Sequence, residues 1–202
     1  MESGYEKTYN MVSLRLKDCD LNEAAERVGF DMDEGGNIRA DFLNRTYIIN
    51  SSGVTAEDSI GGGAIEKSIL IYYITSKGSG GPAKTYSGMG AFLPSVMRGG
   101  VDELPWMGAC LLQKWGQNAN SLDIALSYIG MKRCIEESTH CNAWEMKVLP
   151  RVSIKIIYYE QDEEFPAEIR LLFDDNAGRY FEYEQLAFLS GSVLSAAWTC
   201  EK

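Results

Sequence analysis

The chain has 202 residues, 45% hydrophobic and 24% charged, the balance of an ordinary globular protein long enough to bury a core without staples. Its formal net charge of −10 excludes a nucleic-acid partner gripped through its phosphates, since no clustered run of Lys and Arg offsets that average. The longest apolar run, Ser68 to Ile74, is far short of the ~20 residues of a membrane helix, and the charged N-terminus has no signal-peptide core, so a cytoplasmic location without membrane association is expected.

Tyr5, Tyr9, Val12 and Leu16 recur at helical intervals and predict a first helix. Asp20 is placed to cap a second, with Glu23 at capping-box spacing and Gly29 as its stop. The period then becomes two: Ile38, Ala40 and Phe42 share a strand face, Asn44 and Arg45 make a turn, and "TYIIN" returns as the hairpin partner. Gly61 to Gly63 precede a helix striped by Ile65, Ile69, Tyr72 and Tyr73. Residues 76–100 are too rich in glycine for a continuous helix or central strand and predict a long loop with at most a short strand or turn.

Two helices follow, over Asp102–Gly116 and Ser121–Gly130, the second capped by Ser121. Strands are expected at 143–149, 152–159 and 167–173. A closing helix runs from 183 to 199, with Leu186, Leu189, Val193 and Ala197 along one side. Strands and helices come in blocks, which predicts an α+β fold: one domain, with a largely antiparallel sheet packed by helices around a single core.

The five cysteines, Cys19, Cys110, Cys134, Cys141 and Cys200, are odd in number and widely spaced, so reduced thiols are expected rather than a disulfide framework. Cys134, His140 and Cys141 share the segment "CIEESTHC", without a CxxC pair; a metal on His140 and Cys141 would need a distant ligand. His140 is the single histidine, and a solvated turn is the commoner place for one; as a ligand to a haem or corrinoid metal it would have to be exposed and neutral. "GGGAIEKS" has Glu66 where a P-loop needs glycine, which rejects nucleoside triphosphate binding. The amides of Gly61 to Gly63 either hold an anion at a helix N-terminus or only shape a tight turn.

The loop over 76–100 can form a lid or wall over a pocket, offering Lys84, Tyr86, Met89 and Phe92 to a ligand. Glycine-rich backbone is entropically costly to order, so a ligand is expected to order residues 78–90. Trp106, Trp115, Trp144 and Trp198 supply flat apolar surface for a large planar ligand, or simply for the core.

The densest stretch is "EEFPAEIRLLFDDNAGRYFEYEQL", Glu163 to Leu186. Pro166 suits a strand start, Ile169, Leu171 and Phe173 alternate along the strand, "DDNAG" suits a turn, and Glu182 and Glu184 fall at a helix start. On this structural reading Phe165 is buried. The chemical reading makes Asp58, Glu163, Glu164 and Asp174 acids that work with Tyr86 or His140 in proton transfer.

The segment "DEEFPAEIRLLFDDNAGRYFEYEQLAFL" resembles the signature of an uncharacterised bacterial and archaeal family, the domain of unknown function 3786, through Glu164, Phe165, Pro166, Leu172, Phe173, Asp174, Tyr180, Phe181 and Glu184. "LPRVSIKIIYYEQDEEFPAE" and "DFLNRTYIIN" extend the resemblance more weakly, and "TYSGMGAF" departs from the Trp and Phe that the family carries around its glycine-rich loop. The resemblance implies no settled activity. It implies an accessory role in anaerobic metabolism, near corrinoid or other tetrapyrrole cofactors and one-carbon transfer; the absence of clustered cysteines keeps the iron–sulfur association of the family from carrying over. Three readings stay open: a small-molecule or cofactor-binding protein, a carboxylate/Tyr/His acid–base enzyme, and a subunit that docks to a protein partner or to its own copy.

Overall fold

The computed structural model describes residues 3–58, 62–93, 105–116, 118–135 and 141–200. Helix α1 (Gly4–Ser13) opens on a capping box between Ser3 and Glu6, and α2 (Leu21–Val28) is capped as expected: the Asp20 carboxylate accepts the amides of Asn22 and Glu23. Gly29 ends α2 with a φ of 83°, a conformation that favours glycine.

A four-stranded antiparallel meander follows: β1 (Asp31–Met32), β2 (Ile38–Phe42), β3 (Arg45–Asn50) and β4 (Gly53–Ala56). Ile38, Ala40 and Phe42 do face the core together. The hairpin turn sits one residue earlier than expected: Phe42 pairs with Arg45, so Leu43 and Asn44 form the two-residue loop and Arg45 already belongs to β3. Asn44 ties this loop to the end of the following helix pair by donating to the Tyr128 carbonyl.

Helix α3 (Ala64–Thr75) packs against α1, α2 and the C-terminal helix, so Ile69, Leu70, Ile71, Tyr73 and Ile74 are all buried and the expected single stripe becomes an almost wholly buried helix. The described part of the glycine-rich segment, residues 76–93, holds the two-residue strand β5 (Tyr86–Ser87) and a 3-10 turn at Met89–Phe92. Helices α4 (Pro105–Trp115) and α5 (Ala119–Tyr128) come next; α5 is capped by Asn118, whose side chain accepts the Ser121 amide, rather than by Ser121.

The second sheet has the order β5-β9-β8-β7-β6, all antiparallel, built from β6 (Lys132–Cys134), β7 (Cys141–Leu149), β8 (Val152–Tyr159) and β9 (Glu168–Asp174). Trp144, Ile154, Ile156 and Phe173 line its inner face, where β9 packs against α4, which in turn packs against α6 (Tyr183–Trp198). Glu145, Lys155 and Leu172, paired across three strands, share the outer face. Buried side chains of both sheets and of all six helices join one apolar cluster, and the α+β expectation holds. No helix among the described residues is long and apolar enough to cross a membrane. None of the five cysteines forms a disulfide.

Candidate functional site

The glycine-rich segment is ordered by the turn that follows β9. Asp174, completely buried, accepts the Ala83 amide at 2.8 Å and the Asn176 amide at 3.0 Å on Oδ1, and the Lys84 amide at 2.8 Å on Oδ2. A buried carboxylate needs such donors, and three charge-assisted bonds supply them. Asn176 donates to the Gly81 carbonyl at 2.8 Å, the Tyr180 hydroxyl to the Gly80 carbonyl at 2.5 Å, and the Thr85 hydroxyl to Asp175 at 2.5 Å. Gly78 leaves no room for a side chain: a Cβ there would lie 2.6 Å from the Arg179 carbonyl and the Tyr180 ring. Phe92 then meets Phe173 edge to face, with ring centres 6.0 Å apart, and Met89 is buried with its sulfur 3.6 Å from the Ser190 hydroxyl. The protein itself thus supplies the contacts that the sequence assigned to a ligand.

Pinning Ala83 and Lys84 to one carboxylate curls the chain there, and Lys84 takes a left-handed φ of 64°. Leu43 and Asn44 have φ values of 49° and 63°, as a type I′ turn requires. These are the only non-glycine residues with positive φ among the described ones, and all three line one cleft. Each such conformation costs on the order of 1–3 kcal/mol, and such strain gathers at functional sites.

This cleft, about 950 Å³, lies between the β2–β3 turn, residues 82–86, the turn after α5, and the facing ends of β7 and β8. Five basic side chains line it, Arg45, Lys84, Lys132, Lys147 and Lys155, against two carboxylates, Asp41 and Glu145. Asp41 is engaged by the Thr46 hydroxyl at 2.7 Å. Tyr86 stands at the wall, with the Lys155 ammonium 4.7 Å from its ring centre and its hydroxyl 3.4 Å from Glu145. Burial, then the Glu145 charge, pushes the Tyr86 phenol up to about 12.

The residues expected at a site are therefore divided. Lys84 and Tyr86 meet in the cleft, whereas Met89 and Phe92 pack inward. Asp58 does not line the cleft but pairs with Arg45 at its rim, at 3.1 Å. Glu163 and Glu164 are exposed before β9 and Asp174 is buried at its end, so the acids are separated by the length of the strand. Phe165, expected in the core, is 66% exposed: Asp162 folds the segment on itself by accepting the Glu164 and Phe165 amides at 2.8 and 2.7 Å, which turns the ring outward. Trp115 and Trp144 are core residues, and Trp198 is partly exposed. Cys141 begins β7, and no group of three or more metal-ligating side chains forms among the described residues. His140 and the side chain of Trp106 lie outside the described residues. Gly61 does too, while at Gly63, the N-cap of α3, the Glu66 carboxylate lies beside the Cα without forming a capping hydrogen bond. Composition gave no sign of Arg45, Lys132, Lys147 and Lys155, which come from separate strands and meet only in the fold.

The model of a protein family described as domain of unknown function, DUF3786, matches residues 20–196. The chain belongs to that family. No curated protein and no solved structure matches it. The match takes in both sheets and every cleft-lining segment, so the cleft is part of the DUF3786 domain itself.

Proposed function

We propose that this DUF3786 protein binds an organic anion of cofactor size in the basic cleft. One observation carries the reading: five cations converge on a hollow of about 950 Å³ in a chain whose net charge is −10. A concave site lined by one sign of charge concentrates ligands of the other. Lys84, Lys132 and Lys147 form no ion pair with a described carboxylate, which leaves their charge to a ligand. The volume is at the upper end of small-molecule sites, and Tyr86 offers a flat wall. A tetrapyrrole with peripheral carboxylates, the cofactor class the family resemblance implies, has the size and charge for it. Acid–base catalysis fits less well. A general acid or base works best with a pKa near the working pH, and Tyr86, held up at about 12 by burial and Glu145, is far from neutrality.

Calorimetric titration with citrate and with a carboxylated porphyrin tests the reading. Saturable binding is expected, weakened about tenfold or more by the pair Lys84→Gln and Lys147→Gln. Binding should also weaken as salt rises, because exposed charges are screened. Failure of both anions to bind, or equal affinity in the double variant, would remove the cleft as the site. A neutral corrinoid that binds as well as the anions would show that charge is not what the cleft reads.

A further inference from the structure

Three arginines from separate parts of the chain lie near Tyr180 and the segments that it joins. Arg27, in the last turn of α2, donates from Nη2 to the Ile74 carbonyl at the end of α3, at 2.9 Å. Arg179 donates from Nη1 to the Ser79 carbonyl, at 3.4 Å. Arg151, in the turn between β7 and β8, is held through its backbone: its amide donates to the Tyr73 hydroxyl at 2.9 Å, and its carbonyl accepts from Asn176 at 2.8 Å. Its side chain runs past the end of α2, where Nε would be 3.0 Å from a Cβ at Gly29. Tyr180 links these segments, with its ring centre 5.2 Å from that of Tyr73 and its hydroxyl on the Gly80 carbonyl. Burial raises the pKa of the Tyr180 phenol, and Arg151, Arg179 and Arg27 all act to lower it, as cations near one ring do.

No described carboxylate comes within ion-pair distance of any of the three. The Nε atoms of Arg27 and Arg151 are buried without a hydrogen-bond acceptor. Arg27 has a structural post of its own, since a cation at a helix C-terminus is favourable, but that accounts for one arginine and not for three. Cations that act on one phenol also repel one another, and an oxyanion between them reverses the sign of that interaction. Guanidinium groups match phosphate oxygens in geometry, and three of them without an ion-paired acid suit a group with more than one negative charge. We propose that Arg27, Arg151 and Arg179 form a second anion site, separate from the cleft, that takes a phosphate group carried by a small molecule.

Inorganic pyrophosphate is the probe, titrated calorimetrically into the full chain, with malonate as the carboxylate control. Saturable pyrophosphate binding is expected, about tenfold or more weaker in the pair Arg151→Gln and Arg179→Gln and within about twofold of wild type in the pair Lys84→Gln and Lys147→Gln. Circular dichroism checks that each variant folds. Should the glutamine pair fail to fold, the pair Arg151→Lys and Arg179→Lys decides: it keeps the charge but loses the planar fork, and at least about threefold weaker binding is expected. Three results overturn the proposal: no saturable binding of pyrophosphate to the wild type, undiminished affinity in the folded arginine variant, or malonate bound more tightly than pyrophosphate. Loss of pyrophosphate binding in the lysine pair alone also overturns it, by assigning the phosphate to the cleft, and leaves the cleft reading intact.

Discussion

The two ends of strand β9 are built from the same kinds of residue and behave in opposite ways. Before the strand, Glu163, Glu164 and Phe165 are all exposed, Phe165 at 66%. At its end, Phe173 and Asp174 are completely inaccessible to solvent. What differs is the neighbour. The glycine-rich segment crosses the end of β9, pairing Tyr86 with Asp174 and placing Phe92 on Phe173. The tip before the strand instead satisfies itself through Asp162 and has no such cover among the described residues. An acid next to an aromatic is thus a surface feature or a core feature according to whether backbone amides from elsewhere arrive to meet it.

Substitutions at the two ends should separate just as sharply. Phe173→Ala, which empties a core position on the inner face of the sheet, is expected to lower stability to denaturant by about 3–5 kcal/mol. Asp174→Ala strands three amides and should cost about 2–4 kcal/mol. It should also free the segment above, seen as faster hydrogen exchange at Ala83 and Lys84. In the unsubstituted protein those two amides should be protected with no ligand added; fast exchange there would break the comparison by showing that the segment is not held by Asp174. Lys84→Gly removes the strain of a left-handed lysine and should raise stability by about 0.5–1 kcal/mol while weakening anion binding in the cleft. Phe165→Ala, at the exposed end, should change stability by less than about 0.5 kcal/mol. A loss as large as that of Phe173→Ala would mean that both ends of β9 are buried in solution.

Much of the fold can be read locally. Strands β7, β8 and β9 and helix α6 lie within two residues of where the sequence puts them, because each is long enough for its apolar period to repeat. The strands β1, β4, β5 and β6 span two to four residues and carry no period; pairing with a neighbour is what makes them strands. The site is legible only in part. Lys84 and Tyr86 stand out because a glycine-rich loop draws attention to them, while the cations on β3, β6, β7 and β8 look like ordinary solvated positions on their own strands.

The amino-acid sequence by itself determines the α+β class, the antiparallel hairpins and an acidic chain with no helix-length apolar run through composition and local periodicity, and it determines the family through its motif residues; none of these needs knowledge of which segments meet. Tertiary structure assigns Asp174 to the loop, turns Phe165 outward, and brings five cations together in a molecule that is negative overall. The physical reason is range. Helix and strand patterns act over a few residues, whereas the Asp174 carboxylate finds two of its three amides 90 and 91 positions away, and a charge's neighbours across a cleft are set by how the sheets pack.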